Sequence, residues 1–104
     1  LPTSIVPPYP LTQDYVSACD GIKFDNYLEW MAVSYAITLT GCPSISIPAG
    51  ITQDGLPVGL QIVCASHADA KLLSIAAFVE SELGFSLKKP ITPNIIKTAQ
   101  VVTL

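Results

Sequence analysis

The chain contains no arginine, and its five basic residues are all lysine. They are spread over positions 23, 71, 88, 89 and 97, against eight acidic residues and a net charge of −3. Nothing there forms a basic patch, so nucleic acid is excluded as an expected partner. Charge of either sign is scarce, at 12% of residues, where an ordinary soluble domain carries about 25%. No apolar run approaches the roughly 18 residues needed to cross a bilayer, so no membrane span is expected. No basic segment followed by an apolar core opens the sequence, and no signal peptide is expected. Cys19, Cys42 and Cys64 are odd in number and form no CxxC pair. That excludes a zinc motif and a closed disulfide framework. Free, mostly buried thiols in a reducing, cytoplasmic setting are the expectation. No motif calls for a metal or any other cofactor, and no glycine-rich loop opens a helix to cradle phosphate.

What is present is apolar. Half of the 104 residues are hydrophobic. A domain this small has a high ratio of surface to volume and needs more polar cover, not less. The excess implies apolar surface covered by something outside this sequence.

The organising stretch runs from Gly41 to Cys64. Ser44-Ile45-Ser46-Ile47 alternates polar and apolar, the period of a half-buried strand. In the second run Val58, Leu60, Ile62 and Cys64 fall on one face and Gly59, Gln61 and Val63 on the other. Asp54-Gly55 between them is a turn signal, because Gly tolerates positive φ. An antiparallel pair over residues 44–64 is predicted. Pro48 and Pro57 cannot donate ladder hydrogen bonds and should lie at strand ends or edges.

Around this pair the chain reads in order. Residues 1–25 form a Pro-rich extended segment, whose later part (12–25) has room for a short helical turn. Residues 26–40 read as a helix. Asn26 with Glu29 makes a capping box, Leu28, Met31, Ala32, Tyr35 and Leu39 make an apolar stripe, and Gly41 supplies the stop. Trp30, Val33 and Ile37 lie off that stripe and are also apolar, which predicts burial on several sides. Residues 66–84 read as a second helix, with Ser66 and Asp69 as cap and Leu72, Ile75, Ala76, Val79 and Leu83 as the buried stripe. Residues 85–104 have no clear period and read as a tail.

His67, the single histidine, lies beside Ser66 and near Asp69. Neighbours in sequence rarely meet as a catalytic triad requires, and both partners already serve as a helix cap in this reading. No lysine lies in a Gly/Ser-rich loop. The expectation is that no catalytic residue is encoded in this chain.

Gly41-Cys42-Pro43-Ser44, Pro48-Ala49-Gly50 and Asp54-Gly55-Leu56-Pro57-Val58-Gly59-Leu60-Gln61 together resemble the C-terminal part of the amidase signature family. The match is ordered and gap-free, and extends with declining strength over roughly Leu1 to Phe85. The resemblance implies an α/β fold in which the strand pair belongs to a larger mixed sheet covered by helices. It implies hydrolysis of amide bonds by a Ser–Ser–Lys triad in an upstream Gly/Ser-rich region, which this chain does not contain. It also implies that the 26–40 helix borders the acyl pocket, with Leu28, Met31 and Tyr35 on the pocket side. The family often has Asn where this chain has Thr38, so a side-chain amide role is not carried over. The expected partners are then the upstream catalytic portion of the same protein and a small-molecule amide substrate, with homo-oligomerisation a further way to cover apolar surface. The competing reading is a free-standing, non-catalytic interaction module built from the same strands and helices.

Overall fold

The computed structural model describes residues 1–85. The tail expected at 85–104 lies outside them beyond Phe85. In order the elements are β1 (Ala18–Cys19), β2 (Ile22–Lys23), α1 (Tyr27–Trp30), α2 (Ala32–Thr40), β3 (Ser44–Ile51), β4 (Pro57–Val63) and α3 (Asp69–Leu83). The architecture is α/β, with two antiparallel strand pairs and helices.

The predicted strand pair is β3–β4. Its register sets Ser44 opposite Val63, Ser46 opposite Gln61, and Ile47 opposite Leu60. Pro48 lies inside β3, but at a register shift between Pro48 and Gly50. A bulge there suits a residue with no N–H to give to the ladder. The connecting turn closes with Thr52 N–H donating to the Leu56 carbonyl at 2.8 Å and Gly55 N–H to the Thr52 carbonyl at 2.9 Å. Gly55 has φ +82°, the left-handed backbone that the Asp54-Gly55 signal requires.

Register assigns the faces. Ile45, Ile47, Leu60 and Ile62 share one face, and α3 packs across β3 on that side. Ile47, Leu72 and Ala76 are buried, and Val16 is the remaining fully buried apolar residue described. The opposite face carries Ser44, Ser46, Gly59 and Gln61, with Gln61 Nε2 donating to Ser44 Oγ at 3.1 Å.

The Pro-rich start does more than link. Gln61 N–H donates to the Leu1 carbonyl at 2.8 Å, and Thr3 N–H donates to the Gly59 carbonyl at 3.2 Å. Pro2 is bridged antiparallel to Leu60. The opening residues thus pair with β4 from the side opposite β3. No helical turn forms within residues 12–25. Instead Asp20 (φ +47°) and Gly21 (φ +77°) close the β1–β2 hairpin, the left-handed pair that a two-residue hairpin turn demands.

The helix expected over residues 26–40 is divided at Met31, whose φ and ψ of −87° and 4° leave the helical basin. Met31 N–H donates to the Leu28 carbonyl at 3.2 Å, a tight i→i−3 closure. Asn26 caps α1, its Oδ1 accepting from Leu28 N–H at 2.9 Å. Glu29 reaches back as a capping box predicts, but accepts from Asp25 N–H, at 2.8 Å. Gly41 ends α2 with φ +65°. No residue of α1 or α2 is fully buried within this chain.

The Ser66 cap is not formed. His67 adopts φ +62°, and the helix begins at Asp69 with Ala68 as an N-cap that makes no side-chain hydrogen bond. The left-handed backbone at His67 turns the chain before the helix starts, so Ser66 cannot reach the first turn. In α3, Leu72 and Ala76 are buried and Ile75 and Val79 half-buried, whereas Leu83 is exposed. Phe78 and Leu73 are exposed as well. With Leu11 and Leu39 at 105% and 82% exposure, large apolar surface faces outward on several elements. No helix among the described residues is long and apolar enough to cross a membrane.

Candidate functional site

A cavity of about 830 Å³ lies between the opening segment, the turn end of the β3–β4 pair, Trp30 and Phe85. Three sequence features place its walls. The prolines of residues 2–8 hold the opening segment extended, away from helix. Pairing of that segment with β4 brings it alongside the strands. Tyr9 then meets Trp30 edge to face, with ring centroids 5.8 Å apart at 88°. The aromatic chain continues from Trp30 to Tyr27 at 6.0 Å and from Tyr27 to Tyr15 at 5.8 Å. Such edge-to-face pairs are worth about 0.5–1.5 kcal/mol each beyond area burial. They tie the Pro-rich segment to α1. The Trp30 indole Nε1 is buried with no hydrogen-bond partner, as is Gln61 Oε1 on the polar sheet face.

Most of the lining is apolar, including Val6, Ile51 and Val58. Its polar side chains are Thr3, Ser4, Tyr9, Trp30 and Ser46, and two of them form a hydroxyl pair. Thr3 Oγ1 and Ser46 Oγ are 2.6 Å apart, joined across β4. Gly59 lies beneath them, and a Cβ there would stand 2.7 Å from Thr3 Oγ1 and 2.9 Å from Ser46 Oγ. The missing side chain is what lets the two hydroxyls meet. Among the described residues no carboxylate, lysine or histidine lines the cavity, so none of them stands beside the pair as a base.

Leu28, Met31 and Tyr35 do not line this cavity. Leu28 and Tyr35 are 64% and 44% exposed, and Met31 is half-buried. The helical residue that does line it is Trp30, which the stripe Leu28–Met31–Tyr35 leaves to one side. The sequence pattern does not single out Thr3 or Ser46 either. A signal exists for Ser46: strand alternation puts it on the same face as Gly59, and glycine within a strand marks a close approach. Nothing local announces that Thr3 joins them. His67 is exposed and makes no hydrogen bond with Ser66 or Asp69. Among the described residues no group of three or more His, Cys, Asp or Glu converges as metal ligands would.

Residues 1–73 match the family model described as Amidase. The chain belongs to the amidase family. An acylamidase of Rhodococcus erythropolis is 37% identical over 90 residues, which is 86% of this chain and 19% of the relative. A fatty acid amide hydrolase of Medicago truncatula is 44% identical over 54 residues, covering 52% of this chain and 9% of the relative. The 6-aminohexanoate-cyclic-dimer hydrolase of Paenarthrobacter ureafaciens is 36% identical over 63 residues, or 61% of this chain and 13% of the relative. The amidase chain described here thus spans less than a fifth of the length of these curated relatives. No solved structure matches it.

Proposed function

We propose that this chain is the C-terminal portion of an amide-bond hydrolase. In this reading it supplies strands, a covering helix and one wall of the acyl pocket, and is not catalytic by itself. The observation that carries the reading is the family match over residues 1–73 in a chain that spans less than a fifth of its relatives' length. Among the described residues, no lysine or histidine lines the cavity beside the hydroxyls. A Ser–Ser–Lys site needs a base lysine, a bridging serine and backbone donors for the oxyanion. Lys23 and Lys71 are both exposed. The reacting groups come, in this proposal, from an upstream portion of the same protein, docked on the apolar surface left open here. The relatives' much greater length supports that assignment.

Leu28, Met31 and Tyr35 then wall the acyl pocket once the upstream portion covers α1 and α2. The substrate is a small-molecule amide, and the three free, half-buried cysteines suit a reducing cytoplasm. The test is complementation. The chain, the region encoded before it, and the two together are assayed on simple aryl and aliphatic amides. Hydrolysis is expected only when both portions are present. Full activity from the upstream portion alone would make this chain dispensable and overturn the reading.

A further inference from the structure

Asp-Gly occurs twice in the chain, at Asp20-Gly21 and Asp54-Gly55. In such a dipeptide the aspartate carboxyl lies within reach of the next peptide nitrogen, and glycine has no Cβ to hinder the approach. All four residues are exposed, and both glycines have positive φ. The two turns differ in what holds the nitrogen. Gly55 N–H donates to the Thr52 carbonyl at 2.9 Å. Thr52 closes the same turn twice more, its N–H donating to the Leu56 carbonyl at 2.8 Å and its Oγ1 accepting from Leu56 N–H at 3.1 Å. Behind that turn the β3–β4 ladder runs from Ile51 and Pro57 back to Ser44 and Val63.

Asp20-Gly21 is held by less. Its hairpin has two ladder pairs, Cys19 with Ile22 and Ala18 with Lys23, and behind them Phe24 N–H donates to the Ser17 carbonyl at 2.9 Å. Among the described residues no acceptor takes the Gly21 N–H. A two-stranded hairpin this short is marginal, so its turn opens at small cost. Asp20 itself has φ +47°, in the left-handed basin where a residue with a Cβ is disfavoured.

We propose that Asp20-Gly21 is a site of spontaneous backbone isomerisation, against which the Asp54-Gly55 turn is protected. The Gly21 peptide nitrogen bonds to Cγ of the protonated Asp20 carboxyl. The proton from that nitrogen and the carboxyl's hydroxyl leave together as water, and a five-membered succinimide remains. One water then adds back. Opening at Cγ restores aspartate, whereas opening at the Asp20 main-chain carbonyl leaves Gly21 joined through Cγ as isoaspartate. One water leaves and one returns, so the mass is unchanged and no co-reactant is consumed. Isoaspartate lengthens the main chain by one carbon, which a two-residue turn cannot absorb without loss of the Cys19–Ile22 register. At Asp54 the same ring closure first requires Gly55 N–H to leave the Thr52 carbonyl.

The full-length protein carrying this chain is incubated at neutral pH with a reductant, beside synthetic peptides of residues 17–24 and 51–58. Isoaspartate is quantified by peptide mapping with fragmentation that separates it from aspartate. Each site's rate in the protein is divided by the rate in its own peptide, which removes the effect of local sequence. The fold is expected to slow Asp54 about tenfold more than Asp20, the ratio given by about 1.4 kcal/mol of additional opening cost. Thr52→Val, which removes the hydroxyl acceptor of Leu56 N–H, should speed conversion at Asp54 and leave Asp20 unchanged. Equal slowing at the two sites, or greater slowing at Asp20, would overturn the inference, and that comparison needs no variant to fold. An unchanged Asp54 rate in a folded Thr52→Val protein would overturn the protection assigned to that turn.

Discussion

Thr3 and Ser46 lie on opposite sides of β4, yet their hydroxyl oxygens are 2.6 Å apart. They meet because the strand between them carries Gly59 at the crossing point. That one position couples the opening segment, the central strand and the cavity lining.

Gly59→Ala should therefore be costly. The new Cβ would fall 2.7 Å from Thr3 Oγ1, 2.9 Å from Ser46 Oγ and 3.2 Å from Thr3 Cβ. The hydroxyl pair must part and the opening segment must shift, at a cost of about 1–3 kcal/mol by analogy with overpacked interiors. Gly50→Ala is the control, because its Cβ would meet Val58 Cγ2 at 3.6 Å and Phe85 Cζ at 3.9 Å, both ordinary contacts. Denaturant unfolding of the full-length protein should rank Gly59→Ala well below Gly50→Ala. Equal midpoints would show that the crossing is not tight.

Gly55→Val tests the turn by a different route. A Cβ at Gly55 meets nothing within 4 Å, so space is not at issue. The strain comes from the backbone, which holds φ at +82°. A β-branched residue in that basin costs on the order of 1–3 kcal/mol. Thermal unfolding should show the loss, and Gly55→Asn should recover part of it. An unaltered melting temperature for Gly55→Val would mean the turn takes another shape in solution.

The exposed apolar side chains predict the behaviour of the isolated chain. Leu11 of the opening segment, Leu39 of α2, and Leu73 and Phe78 of α3 stand outward, and monomers rarely leave contiguous apolar patches beyond a few hundred Å². The isolated chain should self-associate or bind a hydrophobic dye, and, if the proposed upstream portion covers this surface, should lose both properties in complex with it. A dye-negative monomer in analytical ultracentrifugation would favour the free-standing module instead.

If the full-length protein is the proposed amide hydrolase and Met31 and Tyr35 wall its acyl pocket, Met31→Trp and Tyr35→Ala should change which acyl groups are accepted, by about tenfold in relative kcat/KM, while both retain turnover on the best substrate. A residue that walls a pocket alters differential binding without touching the reacting groups. Unchanged acyl preference in both variants would remove these residues from the pocket.

Much of the fold is readable locally. Strand alternation around Ser44–Ile47, the Asp54-Gly55 turn, the Asn26 cap and the stops at Gly41 and Gly84 depend on a residue's own backbone preferences and near neighbours. The structure departs from expectation at two points of local backbone geometry. Ser66 has the pattern of a cap, but the left-handed backbone at His67 moves the helix start to Asp69. A single apolar stripe suggests one helix, but the chain leaves helical geometry at Met31.

The sequence by itself determined the β3–β4 pair, its turn and its two faces, since a period of two and a positive-φ glycine are properties of short stretches. Family membership was likewise carried by motif order along the chain. Only the tertiary structure decided that Leu1–Thr3 pairs with β4, that Trp30 rather than Leu28, Met31 or Tyr35 lines the cavity, and that Thr3 reaches Ser46. The last of these turns on the meeting of residues far apart in the chain, Thr3 and Ser46 being separated by 43 positions. Propensity and periodicity carry no information on such pairings. They are selected by which backbone ladder closes, and by where a missing Cβ leaves room.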